Sequence, residues 1–347
     1  MAYTPLELRQ YEDDHSKMRT RNIAESLRVG EATLIAARCG EGVVRIVSHP
    51  DAIMGAAMTL GPVMALTRNE SCVHEKIGVY ENYHPGDHAA MILTADIDLR
   101  LFPSHWLHAF TVEKQTERGV QRSLQVFDAA GDAVHKIFLR DDSDVAAFEA
   151  ARDRLRHEDQ SQSLFTDPRQ PTETPKENPA KLDILRSEWT RMTDTHQFLR
   201  LTSKLRMNRL GAYRSVGAPF VRALPSVAVT QMLERVRDTG IEIMVFTGNR
   251  GCIQIHSGPV HTLSPMGPWQ NVIDPGFNLH LRADHIAEVW AVDKPTQRGP
   301  AVSIEAFDKD GGLILQVFGV GKEGRDCSAA WGDLVAGLDG LRAPVPS

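Results

Sequence analysis

The stretch VMALTRNESCVHEKIG at residues 63–78 is matched by IMVFTGNRGCIQIHSG at residues 243–258, at an offset of 180 residues. These segments begin a longer match in which residues 63–138 align with residues 243–318 without a gap. The same offset pairs LRLFPSHWLHAFTVEKQTERG with LHLRADHIAEVWAVDKPTQRG, and FDAAGDAVHKIF with FDKDGGLILQVF. Because chance similarity seldom keeps its register over such a length, the sequence predicts a duplicated unit and two similar lobes.

A second match lies upstream of each strand region, at a slightly different offset of 178 residues. The segment ESLRVGEATLIAAR at 25–38 resembles SKLRMNRLGAYRSV at 203–216, so each repeat is expected to begin with helices. Residues 156–181 are polar and rich in proline, which is typical of an exposed linker. We therefore expect an N-terminal repeat at 1–155, this linker, and a C-terminal repeat at 182–347.

The patterns within each repeat favour an antiparallel sheet. Alternation of apolar and polar residues in WLHAFTVEK and IAEVWAVDK predicts half-buried strands, and FDAAGD and FDKDGG are typical of hairpin turns. Further helices are expected near residues 143–157 and 326–341. The predicted fold class is α+β, with two tandem, structurally similar repeats that each combine N-terminal helices with a largely antiparallel sheet.

Composition excludes several classes of function. The 347 residues carry a formal net charge of −6 with scattered basic residues, so nucleic acid is not an expected partner. No apolar run is long enough to span a membrane and the N-terminus lacks a signal-peptide pattern, so a cytoplasmic protein without stable membrane insertion is expected. Four separated cysteines predict reduced, mostly buried thiols. Dinucleotide and P-loop motifs are lacking, so any electron donor is expected to be external.

His196 lies in the segment LDILRSEWTRMTDTHQFLRLTSKL at residues 182–205. Its neighbours at three- and four-residue steps are apolar: Leu182, Leu185, Trp189, Met192 and Leu199. This spacing predicts one face of a helix, although Thr193 or Asp194 could instead cap a new helix that carries His196 in its first turns. In both arrangements His196 is expected to point with the apolar side chains, either as an ordinary buried histidine or as a ligand on an apolar wall.

Several segments together resemble one protein family. MTDTHQFLRLTSKLRMNRLGAYR, DLRLF near Arg100, WAVDKPTQRG around Lys294 and FDKDGGLILQVFGVGKEG near the end are similar to the bacterial haem-utilisation proteins of the HemS, ChuS and HmuS type. The N-terminal TRNIAESLRVGEATLIAAR and the duplication itself resemble that family too. The resemblance extends over nearly the whole chain, and it implies that haem is the bound cofactor.

The resemblance implies a haem-iron ligand and a residue on the opposite face of the haem. His196 occupies the position of the family's axial ligand, and because Met18 stands opposite it in the first repeat, one haem per chain is expected. Arg100 matches the arginine of the other haem face, where it would act through iron-bound water or oxygen in catalysis, with Phe102 as an apolar neighbour. Leu199 departs from the family pattern, which has a second aromatic residue after HQF.

The haem propionates are expected to bind to polar side chains, because carboxylates form charge-assisted hydrogen bonds with cations. By resemblance Lys294 and Gln316 belong to this set, with Arg209 as an addition, and Phe246 is a candidate for the pocket wall. Lys114 repeats Lys294 in the first half, so a structural role at the end of a strand would also explain the lysine.

Two haem functions and one non-haem function follow as alternatives. In the first, the chain degrades imported haem and releases iron, with electrons from an external reductase. In the second, it is a carrier that receives haem from an inner-membrane importer and delivers it to a separate haem oxygenase. In the third, the chain is a duplicated scaffold whose histidines are structural. The sequence does not separate the first two.

Overall fold

The structure, a computed structural model, describes residues 3–117, 119–322 and 324–339, and they fall into two compact units. Unit 1 comprises the chain up to Arg68, His74–Gln170 and Gly248–Ile255. Unit 2 comprises Asn69–Val73, Pro171–Thr247 and the chain from His256 onward. Each unit therefore includes a short segment from the other half of the sequence. The sequence-based limits of the repeats and of the linker stay a prediction.

Unit 1 combines helices with antiparallel strands. Its helices are α1 (Pro5–Asp14), α2 (Thr20–Leu27), α3 (Glu31–Ala36), α4 (Pro50–Ala57) and α5 (Val145–Arg154). Its strands are β1 (Val43–Ile46), β2 (Val63–Arg68), β3 (Cys72–Gly78, whose first two residues belong to unit 2), β4 (Tyr83–His84), β5 (Ala90–Leu93), β6 (Asp98–Leu101), β7 (His108–Thr116), β8 (Gly119–Phe127) and β9 (Ala133–Leu139). Among its described residues, this unit also contains one 3-10 turn, Pro103–His105.

The strands of unit 1 pair with their neighbours in an antiparallel sense. Five of them follow the order β1-β7-β8-β9-β2, and β4, β5 and β6 form a second run. The run is extended at β6 by Cys252, which lies opposite Leu101. Burial alternates along β2, so that Val63 and Ala65 enter a core with Phe148 of α5. This alternation is the period of two that half-buried strands require.

Unit 2 repeats this plan. Its helices are α6 (Leu182–Thr190), α7 (Gln197–Lys204), α8 (Arg209–Val216), α9 (Ala228–Thr239) and α10 (Ser328–Ala336). Its strands are β10 (Val221–Leu224), β11 (Ile243–Gly248, whose last residue belongs to unit 1), β12 (Cys252–Gly258, whose first four residues belong to unit 1), β13 (Trp269–Asp274), β14 (Phe277–Arg282), β15 (Glu288–Thr296), β16 (Gly299–Phe307), β17 (Leu313–Gly319), β18 (Gly321–Lys322) and β19 (Arg325–Asp326). Pro179–Lys181 and Ala283–His285 are 3-10 turns.

The sheet of unit 2 has the strand order β10-β15-β16-β17-β11, again antiparallel. One face packs against α9 and α10, where Trp331 and Met232 join Ile304 in a core. The other face packs against α6, α7 and α8, where Trp189 and Phe307 belong to a second core. The predicted site residues of this unit belong to this second face or to the helices and the loop that cover it.

The α+β fold class with largely antiparallel sheets is confirmed. Strands β7 and β15, β8 and β16, and β9 and β17 have equal lengths, and the same register shift follows Val126 in unit 1 and Ala306 in unit 2. The hairpin turns after β8 and β16 contain Gly131 at φ 79° and Gly311 at φ 92°, a backbone region that glycine adopts without strain. Within the described part of the chain, no helix has the length and apolar character needed to span a bilayer.

Candidate functional site

His196 lies in the break between α6 and α7, where it is the residue that precedes the first turn of α7. The Asp194 carboxylate accepts a hydrogen bond from the backbone N–H of His196 at 2.8 Å and contacts its Nδ1 at 2.6 Å. The prediction of one continuous helical face through His196 is therefore wrong. The alternative is right in that a new helix starts after Asp194.

The expected burial of His196 is also wrong, because its side chain is 94% exposed. Leu199, expected on the same apolar stripe, is 55% exposed. The physical reason is the turn at Asp194, which restarts the helical register so that α7 buries Phe198, Leu201 and Thr202 instead. The three- and four-residue spacing predicted one helical face, but the residues before and after the break belong to two different helices.

The contact with Asp194 defines the chemistry of the imidazole. A carboxylate that accepts a hydrogen bond from Nδ1–H keeps the proton on Nδ1 and leaves Nε2 with its lone pair, which is the usual arrangement of a histidine that binds a metal. Hydrogen bonds from the backbone N–H and then the side chain of His196 lower the pKa of Asp194, so the carboxylate stays ionised in this role. The residues present therefore fit an iron ligand at Nε2.

The loop that carries His196 is fixed by hydrogen bonds on both sides. The Gln297 N–H donates to the Thr193 carbonyl at 3.0 Å, and the Thr193 N–H donates to Gln197 Oε1 at 3.0 Å. One helix earlier, the Trp189 indole donates to the Asp293 carbonyl at 2.8 Å. These bonds attach the loop to β15 and to the turn that follows it, so the exposed imidazole is held by an ordered backbone.

A buried carboxylate, Glu305 on β16, lies at the centre of the face covered by α6 to α8. Lys294 Nζ donates to its Oε1 at 2.8 Å, and Arg209 Nη1 donates to its Oε2 at 2.8 Å. The hydroxyls of Tyr213 and Ser303 donate to Oε1 at 2.9 and 3.0 Å. We call Arg209, Lys294 and Glu305 the unit 2 ion cluster.

The two cations set the charge state of the carboxylate. Burial by itself would raise the pKa of Glu305, but the positive charges of Lys294 and Arg209 outweigh it and lower the pKa to about 2. Burial lowers the pKa of Lys294, and the Glu305 charge opposes this shift. Glu305 was missed by the sequence analysis. One signal was available, because the repeat places the neutral Gln125 at the equivalent position.

Phe198, two residues after His196, connects the histidine loop to this cluster. Its ring centroid lies 4.9 Å from Lys294 Nζ and 5.7 Å from Arg209 Cζ, both within the range of a cation–π interaction. The ring also stacks on Tyr213 at 5.4 Å between centroids. The helix that begins next to His196 therefore rests on the unit 2 ion cluster.

Gln316 and Phe246 lie beside the cluster on the same face of the sheet. Gln316 is opposite Glu305 on one side and opposite Phe246 on the other, and directly opposed residues of antiparallel strands point to the same face. Phe246 and Phe318 contact each other edge to face at 5.4 Å, and both are half-buried. Of the predicted site residues, the structure brings four together on this face: Arg209, Phe246, Lys294 and Gln316.

Arg100 and Phe102 belong to unit 1. On β6 the Arg100 guanidinium donates from Nη1 to Asp98 at 2.5 Å and to the Leu99 carbonyl at 3.0 Å, and its side chain is partly exposed. Phe102 follows the strand, is half-buried, and donates its N–H to the Gly251 carbonyl at 3.0 Å. Their predicted roles toward haem stay predictions.

The sequence matches a known family model in both halves. The model, described as the haemin-degrading HemS.ChuX domain, matches residues 28–155 and again residues 206–338. The chain belongs to this family. A curated member, the haemin transport protein HmuS of Yersinia pestis, is 36% identical over 333 residues, which make up 95% of each chain. The family resemblance inferred from the sequence is confirmed.

Solved structures of the HemS.ChuX family share the fold over almost the full length. Holo-PhuS, a haem-binding protein from Pseudomonas aeruginosa, has a TM-score of 0.92 and 41% identity, and the match covers 98% of this chain and 100% of that one. ChuS, described as an Escherichia coli haem oxygenase, has a TM-score of 0.83 and 35% identity, over 92% and 95% of the two chains. The family thus includes members described by haem binding, by haemin transport and by haem oxygenase activity.

Proposed function

We propose that this chain binds haem through His196 and degrades it to release iron, with dioxygen as the oxidant and an external electron donor. The observation that carries the proposal is the exposed imidazole of His196, whose Nδ1 is held by Asp194 so that Nε2 is left for iron. Family membership supports the same assignment.

The remaining residues of the proposed site match the other needs of haem. Its apolar faces need hydrophobic side chains, which Phe246 and Phe318 supply, and its propionates need hydrogen-bond donors, which Arg209 and Gln316 can supply. When bound, the haem supplies both the iron that activates dioxygen and the ring that is opened. The chain's own residues orient it: Asp194 keeps the proton on Nδ1 of His196, and we propose that Arg100 donates hydrogen bonds on the opposite haem face.

A carrier function is the second candidate, and the exposure of His196 favours it. Because the imidazole is 94% exposed, a ligand from a partner protein can replace it on the haem iron without unfolding of the site. The partners would then be an inner-membrane haem importer and a separate haem oxygenase, with exchange in the cytoplasm. Reversible binding would be the whole function in that case.

Haem titration followed by reduction separates these candidates. The purified chain is titrated with haemin, an electron donor is added in air with catalase present, and products are identified by mass spectrometry while the Soret band is recorded. Stoichiometric binding followed by a ring-opened tetrapyrrole and free iron supports degradation, and Arg100→Ala should then bind haemin but turn over more slowly. A persistent Soret band supports the carrier. Absence of binding would refute both.

His196→Ala should change the visible spectrum of bound haemin, because the iron loses its imidazole ligand, and should weaken haemin binding by at least about tenfold. The fold should tolerate the change within about 0.5 kcal/mol, because the side chain is exposed. His261→Ala, at another exposed histidine of unit 2, is the matched control and should leave the spectrum unchanged. An unaltered haem spectrum in His196→Ala would show that the ligand assignment is wrong.

A further inference from the structure

Arg209 occupies a position that a cation does not ordinarily favour. It is the first residue of α8, and the N-terminal end of a helix carries partial positive charge. At the equivalent place in unit 1, α3 begins with Glu31, whose negative charge suits the helix dipole. A residue that violates a local preference is often retained for a site, so the partners of Arg209 are informative.

The two cations of the unit 2 ion cluster differ in what they can still bind. Lys294 is 3% exposed, and its ammonium donates to Glu305 and Tyr213. Arg209 is 21% exposed and uses only Nη1, toward Glu305 at 2.8 Å and Tyr213 at 3.3 Å. The donors on its Nε and Nη2 have no partner in the part of the chain that the structure describes.

We propose that Glu305 is a positioning residue of the haem site, which holds one edge of the Arg209 guanidinium so that the other edge binds a propionate. In this arrangement Lys294 is a counter-ion that keeps Glu305 ionised, and it does not itself reach the propionate. Two cations around one carboxylate leave one positive charge without a partner, and a ligand carboxylate completes the balance. The proposal rests on the proposed haem binding.

The first half of the chain shows that the fold does not require this carboxylate. Gln125 stands at the position equivalent to Glu305 and donates to Ser123 at 2.9 Å. Lys114, the repeat partner of Lys294, is half-exposed and lies 3.4 Å from Glu12. Glutamine is therefore accommodated on this strand, and Glu305→Gln tests the charge with almost no change of shape.

The experiment compares two probes on the full-length chain: haemin, and the iron complex of protoporphyrin IX dimethyl ester, whose carboxylates are masked. Glu305→Gln should weaken haemin binding by about tenfold and change binding of the ester by less than about twofold. Glu31→Gln is the matched control, because Glu31 is also a buried carboxylate between two cations. It should leave both affinities unchanged.

The outcomes distinguish a failure of the positioning role of Glu305 from a failure of the proposed haem function. If the wild-type chain binds neither probe, the proposed haem function fails. If the wild type binds haemin and Glu305→Gln weakens both probes equally, or neither, the positioning role is overturned. Arg209→Lys keeps the positive charge, but its ammonium cannot bind Glu305 and a propionate through two separate edges. This variant should therefore lose the preference for haemin over the ester, and it keeps the test possible if Glu305→Gln does not fold. A larger loss of that preference in Lys294→Met would overturn the assignment to Arg209.

Discussion

Each unit contains a buried carboxylate between two cations, but the carboxylate lies on a helix in unit 1 and on the sheet in unit 2. The unit 1 ion cluster consists of Glu31, at the start of α3, with Arg68 and Lys136 on the strands. In the unit 2 ion cluster the carboxylate, Glu305, is on the sheet and a cation begins the helix. In both, burial would raise the carboxylate pKa, but two cations lower it to about 2.

The two clusters share their composition and differ in where the negative charge lies. Both units place two cations around one buried carboxylate, but the element that carries the negative charge has changed between them. Among the residues that the structure describes, only the unit 2 arrangement leaves a cation on the helix with unused donors, beside the Phe198 ring that follows His196. In unit 1, Lys136 instead lies over Phe127 at 5.5 Å and Met18 takes the place of the histidine. The unit 2 ion cluster thus combines a cation that keeps free donors with a helix that begins next to His196.

Glu31→Ala should give the largest effect, because it leaves Arg68 and Lys136 buried without a counter-ion. Removing one partner of a buried ion pair typically lowers the free energy of unfolding by about 3–5 kcal/mol. Urea denaturation measures the loss, and Glu149→Ala, at an exposed glutamate on α5, should change it by less than about 0.5 kcal/mol. A loss below about 1 kcal/mol in Glu31→Ala would mean that the unit 1 ion cluster is not a structural requirement.

Acid should destabilise unit 1 through the Glu31 carboxyl and unit 2 through the Glu305 carboxyl. Their pKa values fall from the usual 4.5 to about 2 on folding, so the unfolded chain binds more protons between these values. The stability that they contribute is present above about pH 4.5 and is lost as the pH falls toward 2.

Urea denaturation at several pH values in this window should show the loss. Glu31→Gln and Glu305→Gln should each reduce the slope by up to about 1.4 kcal/mol per pH unit. An unchanged slope in either variant would show that its carboxyl is not held ionised by the cluster.

Leu199→Phe should give the smallest effect and affects only the half that carries His196. The side chain is exposed, so stability should change by less than about 0.5 kcal/mol. If the proposed haem site is correct, the added ring should bury further apolar area against haem and raise haemin affinity by about threefold. Leu107→Phe, at an exposed leucine of unit 1, is the control. Equal effects of the two variants on affinity would contradict a site confined to His196 and its surroundings.

Much of the fold and part of the site could be predicted because their signals are local or repeated. The alternation in WLHAFTVEK and IAEVWAVDK fixes β7 and β15, and Gly131 and Gly311 mark the turns that follow β8 and β16. The motif TDTHQF identifies His196 by resemblance to the family. The residue spacing around the same motif, however, wrongly predicted one continuous helical face. The turn made by Asp194 is a side-chain hydrogen bond, which residue spacing does not encode.

The sequence alone determined the duplication and the α+β class, since both show in segments that can be compared along the chain. The candidate ligand followed from the resemblance of TDTHQF to the family, because the first repeat has Met18 at that position. Only the tertiary structure decided that His196 is exposed and that Glu305 holds Arg209 and Lys294. Arg209 and Glu305 are 96 positions apart, and they meet because α8 packs on the face of β16 that contains Glu305. Such a pairing depends on helix docking and strand register together, and neither follows from local patterns of polarity.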